Sequence, residues 1–140
     1  MKITILGSGS SGGVPLIGPY WGNCNPQNPK NRRRRVSIAI EVSNKTILID
    51  TSPDLREQVI DSNIAQIDAV LWTHAHADHA NGIDDLRQFL WKRKTKLPVF
   101  ASKETVTILK RRFDYVFDQN NKYFNPPLLV KAISPGTFNF

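Results

Sequence analysis

Short apolar runs, separated by glycine, proline and polar clusters, set the rhythm of this chain. Lys2 to Leu6 reads as a first strand. Val36 to Val42 and Thr46 to Ile49 read as two more, joined by a turn at Ser43-Asn44-Lys45. Ser52-Pro53 predicts a helix start, with Ser52 as N-cap, Pro53 in the first position and Leu55, Val59 and Ile60 as the inner stripe. Ala69-Val70-Leu71-Trp72 is a short apolar run of buried-strand type. After it the spacing turns helical, with Ile83, Leu86, Phe89 and Leu90 three and four residues apart. Leu97 to Ala101 reads as a strand. Ser102 then caps a predicted helix to about Asp118, whose buried stripe is Val106, Leu109, Phe113, Val116 and Phe117. Lys110, Arg111 and Arg112 form its wet or partly wet face. Tyr123 to Pro127 reads as loop, Leu128 to Ile133 as a last strand, and Pro135-Gly136 as a turn.

One junction carries chemistry. All three histidines of the chain lie in Thr73-His74-Ala75-His76-Ala77-Asp78-His79, with an aspartate among them. Imidazole and carboxylate are ligands for zinc, manganese and iron at neutral pH. His74 and His76 follow the apolar run, and residues two apart in extended backbone point the same way, so both rings can reach one metal. Asp78 and His79 sit where strand gives way to helix and can serve a second. A lone histidine is most often a chance surface residue; three of three beside an aspartate at a strand end is not.

The other motifs change the picture less. Gly7-x-Gly9-x-x-Gly12 has the spacing of a dinucleotide fingerprint, but that fingerprint must open a helix and carry an acidic residue about 20 positions on. Pro15, Pro19, Pro26 and Pro29 forbid the helix, and Asn31 to Arg35 is basic. The glycines are instead expected to bring backbone close to the metal site, or to form a plain tight turn. Residues 14 to 35 read as a long irregular loop, a length that favours function or disorder. Within it lies Cys24, expected to be an ordinary loop residue. Arg32, Arg33, Arg34 and Arg35 form either a solvated charge run or a place for at least one guanidinium to face a substrate phosphate.

At 140 residues, 40% apolar and 22% charged, the chain has ordinary globular composition and room for one domain, spanning 1 to 140. Its net charge of +7 suits an anionic partner, although four of those charges are the single arginine run. No run approaches the roughly 18 apolar residues of a membrane span. Gly7 interrupts the N-terminus too early for a signal-peptide core. One cysteine excludes an internal disulfide, so a cytoplasmic location is expected.

His74-Ala75-His76-Ala77-Asp78-His79 resembles the H-x-H-x-D-H signature of the metallo-β-lactamase superfamily. Leu6-Gly7-Ser8-Gly9-Ser10-Ser11-Gly12-Gly13-Val14-Pro15, the arginine run and Leu48-Ile49-Asp50-Thr51-Ser52-Pro53-Asp54 are similar to its phosphodiesterase branch, which includes the cyclic phosphodiesterase of phosphonate breakdown. The resemblance implies an α/β chain with the αββα sandwich, of which this chain is one half: one mixed sheet with flanking helices. It implies two divalent ions, zinc or manganese. His74 and His76 would hold the first, Asp78 and His79 the second, with Asp78 also counted as catalytic. Asp50 would orient a ligand or the loop without coordinating. The implied reaction is hydrolysis of a small phosphodiester or nucleotide-like substrate by metal-activated water. Cys24 stands where some relatives carry several cysteines for an extra zinc.

The family pattern also needs a third histidine for the first metal, a bridging aspartate and a last histidine. No histidine follows His79, and Asp84, Asp85, Asp114 and Asp118 fall on predicted helices. The expectation is therefore weak or partial metal binding, completion by a C-terminal half or a homodimer partner, and an inner sheet face left as an apolar patch. Two other readings stand beside this one: an inactive truncated remnant, and a basic nucleic-acid-binding module.

Overall fold

The computed structural model describes residues 1–90, 95–118 and 128–137. Six strands form one mixed sheet in simple order: β1 (Lys2–Gly7), β2 (Ser37–Val42), β3 (Lys45–Ile49), β4 (Ala69–Leu71), β5 (Leu97–Ser102) and β6 (Leu128–Ile133). The first three are antiparallel neighbours, while β4, β5 and β6 run parallel to β3. The β2–β3 hairpin turns at Ser43 and Asn44, both at positive φ (49° and 60°), the handedness that a two-residue hairpin demands.

Topology decides which face is covered. Three successive parallel crossovers step across the sheet in one direction. Crossovers are right-handed, so all three place their helices on the same side. These are α1 (Leu55–Asp61), then α2 (Ala77–Ala80) with a 3-10 helix over Ile83–Leu90, then α3 (Lys103–Arg112) with α4 (Asp114–Phe117). Their apolar residues Leu55, Ala80, Ile83, Leu86, Leu109, Val116 and Phe117 join Leu48, Val70, Val99 and Leu128 of the sheet in a single core. The opposite face of β1–β3 carries two rows of three isoleucines, Ile3-Ile40-Ile47 and Ile5-Ile38-Ile49. None of the six belongs to that core, and Ile3 and Ile5 are 57% and 69% exposed. The apolar patch expected from the sequence is present on this part of the sheet.

Several local expectations give way to tertiary geometry. α1 starts at Leu55 rather than Pro53, with Asp54 at its cap. The Ser52 hydroxyl accepts from the Asp54 N–H at 3.1 Å and donates to the buried Gln58 Oε1 at 2.9 Å. Gln58, not Ile60, completes the inner stripe; Ile60 is 52% exposed. The helix predicted after Asp78 is broken at Gly82. A Cβ there would lie 2.1 Å from the Ser52 carbonyl oxygen, and the Gly82 N–H donates to Thr51 O. The long helix predicted to Asp118 breaks at Phe113, where φ and ψ are −131° and 46°, and resumes as α4. The loop of residues 14 to 35 contains a 3-10 turn at Pro29–Asn31 and bridges at Val14–Arg33 and Leu16–Tyr20. The Tyr123–Pro127 loop lies outside the described residues.

Candidate metal centre

β3 and β4 run parallel with Ile49 beside Leu71. Their carboxyl ends therefore open on one edge, where ligand sites of parallel sheets collect. Asp50 and the Thr73–His79 stretch leave the sheet there side by side. Asp50 adopts φ 61°, a left-handed conformation that aspartate tolerates better than most residues. Its N–H donates to Leu71 O at 2.9 Å, and the Ser37 hydroxyl donates to its carbonyl at 2.9 Å.

The bend turns the buried Asp50 carboxylate, 3% exposed, under the histidine loop. Oδ1 accepts from the Thr73 N–H at 2.8 Å and Oδ2 from the Thr73 hydroxyl at 2.7 Å. His79 Nδ1 lies 2.7 Å from Oδ2. A carboxylate only accepts, so this nitrogen carries the proton and Nε2 keeps its lone pair. The Thr73 hydroxyl donates its hydrogen bond to Asp50, so it accepts from His74 Nδ1 at 3.0 Å. His74 Nε2 is thereby also left as a lone pair. One carboxylate sets the tautomer of two imidazoles, directly and through a threonine.

The donor atoms come together in two pairs. His74 Nε2 is 3.2 Å from His76 Nδ1, and His79 Nε2 is 3.3 Å from Asp78 Oδ2. Two ligands at about 2.0–2.1 Å from a tetrahedral metal lie about 3.3 Å apart, so each pair fits one edge of a coordination shell. Two imidazole nitrogens at such a distance also need a proton or a cation between them. Among the described residues no three His, Cys, Asp or Glu side chains form a metal-binding group. The fit is pairwise.

Residues 45–137 match the beta-lactamase superfamily domain. The chain belongs to that superfamily. A diphosphatase of the PhnP family shares its structure with a TM-score of 0.85 at 35% identity, over 99% of this chain and 52% of that one. Zinc-bound PqqB from Methylobacterium extorquens shares the fold, with a TM-score of 0.70 at 24% identity over 96% of this chain and 50% of that one. An octanoyltransferase of Porphyromonas gingivalis is 42% identical over 130 residues, 92% of this chain but 26% of that protein. The superfamily chain described here thus spans about half the length of the two solved structures and a quarter of the curated relative. A match to a quarter of a protein does not carry the name of the whole.

The glycine run, which precedes the matched residues, brings backbone close to the arginine run. A Cβ on Gly7 would fall 2.0 Å from Arg35 O, and one on Gly9 2.8 Å from Arg34 O. The glycines let the loop lie against the arginine backbone, sealed by Gly9 N–H to Arg34 O at 2.7 Å and Val14 N–H to Arg33 O at 2.9 Å. The arginines divide by role. Arg35 grips Asp54 through Nε at 2.8 Å and through its second guanidinium nitrogen. That guanidinium holds the Asp54 carboxyl below the usual carboxylate range, and the same bond raises Arg35 further. Arg34 pairs with Asp61 at 2.6 Å. Arg32 and Arg33 are exposed beside Ser8 and Pro29. Cys24 is a half-exposed free thiol in the same loop. No described helix is long and apolar enough to cross a membrane.

The histidine motif by itself assigns no role to Thr73. The available signal was adjacency: parallel pairing of Ile49 with Leu71 puts a hydroxyl one step before the first histidine next to the residue that ends β3. Arg112 lies on the exposed face expected for it, and its guanidinium also donates to Ala75 O and to Asn81 Oδ1. No spacing rule connects residues 37 positions apart.

Proposed function

We propose that this chain carries the first half of the site of a metal-dependent hydrolase acting on phosphodiester or diphosphate bonds. The observation that supports it most is the Asp50 relay, which turns the lone pairs of His74 and His79 outward beside His76 and Asp78. A resemblance to a diphosphatase over 99% of this chain favours a phosphoryl substrate. His74 with His76 would hold one divalent ion, zinc or manganese, and Asp78 with His79 a second. When bound, such ions polarise a phosphoryl oxygen and lower the pKa of water. Asp50 keeps two imidazoles in the metal-binding tautomer, and Arg32 and Arg33 offer free guanidinium groups to a phosphate. A third imidazole, a bridging carboxylate and a leaving-group acid come, in this reading, from a second segment.

The test is hydrolysis of bis(p-nitrophenyl) phosphate with manganese or zinc. Residues 1 to 140 alone should show no turnover. Adding the C-terminal half of a relative should restore it, and His76→Ala should abolish the restored activity. Robust turnover by this chain alone, lost in His76→Ala, would sink the half-site reading and point to completion across a homodimer.

A further inference from the structure

The corner between α3 and α4 reaches back over the histidine loop. Arg112 ends α3, and its fork donates to Ala75 O and, at 2.6 Å, to Asn81 Oδ1. Ala75 lies between His74 and His76. Asn81 caps the C-terminus of α2, the helix that carries Asp78 and His79. The guanidinium therefore spans both donor pairs. It also lies 5.0 Å from the centre of the Phe113 ring, which packs on the core. One residue beyond the start of α4, the Tyr115 hydroxyl meets both Asp84 oxygens at 2.8 and 2.7 Å, so the corner holds the segment just past the loop as well.

We propose that Arg112 is the positioning residue of this loop, fixing the spacing of the two donor pairs, a role that rests on the metal-binding reading of His74 to His79. Asp50 orients rings from beneath. Arg112 acts on backbone from outside, tying the carbonyl between the first two ligands to the end of the helix bearing the other two. A planar fork can hold two acceptors at a set separation, whereas a lysine ammonium is a compact charge with rotatable donors on a flexible stem and fixes no such separation.

Two measurements test this. In metal-free protein, hydrogen exchange is read at the His79, Ala80 and Asn81 amides, which donate to the His76 and Ala77 carbonyls. Arg112→Ala should speed it by about 10-fold, with Arg112→Lys between parent and Ala. Arg111→Ala, on the same turn, should leave it unchanged. In a cobalt titration followed by visible absorption, Arg112→Ala should need about 10- to 100-fold more metal and show altered bands, as loss of ligand support does. Exchange and cobalt binding in Arg112→Ala that match Arg111→Ala overturn the proposal. A parent that takes up no cobalt overturns the metal reading instead, and exchange alone then decides whether Arg112 holds the loop.

Discussion

Ile47 and Leu48 are neighbours on β3 and live in different worlds. Leu48 is fully buried beneath the helices, while Ile47 stands in a row of isoleucines outside the core cluster. The helical side is fixed several times over. Trp72 donates its indole N–H to the Thr51 hydroxyl at 2.8 Å, Thr51 N–H donates to His79 O at 2.7 Å, and Arg35, Gln58 and Arg112 pin loops to helices. Among the described residues the isoleucine side is held by its own strands. Apolar area left in water is driving force held in reserve, so one face stabilises this fold and the other is suited to association.

The largest expected effect breaks that contrast directly. Leu48→Ala should cost about 2–5 kcal/mol in denaturant unfolding. Ile47→Ala should cost under about 1 kcal/mol, the scale of strand preference on an open face. Equal costs would show that the isoleucine face is already covered in solution.

Next comes Asp50. Asp50→Ala should leave the fold cooperative yet weaken zinc binding about 10- to 100-fold by calorimetry, because His74 and His79 lose the group that sets their tautomers. An anomalous-scattering map with a metal bonded to the Asp50 carboxylate would refute the supporting role. In the same titration, a His74→Ala/His76→Ala double variant binding as tightly as the parent would show that the site is misplaced.

Smaller effects come from the charges that tie the covering layer down. Asp54 is held below the usual carboxylate range by Arg35, so its contribution is present above about pH 4 and lost as pH falls through its lowered value. Asp54→Asn should flatten the acid limb of a pH–stability curve, with a loss near neutrality of about 1 kcal/mol, since the pair is partly exposed. Tyr115 is pushed up to about 12 by burial and by Asp84. Its contribution is complete below about pH 10 and lost as pH rises through about 12. Tyr115→Phe should remove that alkaline limb, and an unchanged curve would show that the Tyr115–Asp84 bond contributes nothing.

Order along the chain made much of this legible. Periodicity located all six strands, because strand signals are local, and the clustering of imidazole and carboxylate within six residues singled out the candidate site, whose side chains the fold brings together in pairs. Contacts across distant segments were not legible. The burial of Gln58 follows from the Ser52 hydroxyl and Arg35 carbonyl that meet it. The break at Gly82 follows from a carbonyl 30 residues earlier in sequence. Helical spacing placed Arg112 on the exposed face where it lies, but spacing shows a residue's face, not the carbonyl that another loop places against it.

The left-handed backbone at Asp50 also narrows what any diversified library of this chain could contain. Glycine would accept the conformation but bring no carboxylate. Asparagine would accept it too, yet its amide NH2 would face either the Thr73 N–H or, the other way round, the Thr73 hydroxyl and His79 Nδ1. Glutamate keeps the charge but adds a methylene and about 1–2 kcal/mol of backbone strain. Selection for metal retention should therefore return a single letter at position 50, while position 47, three residues upstream, should accept nearly any strand former.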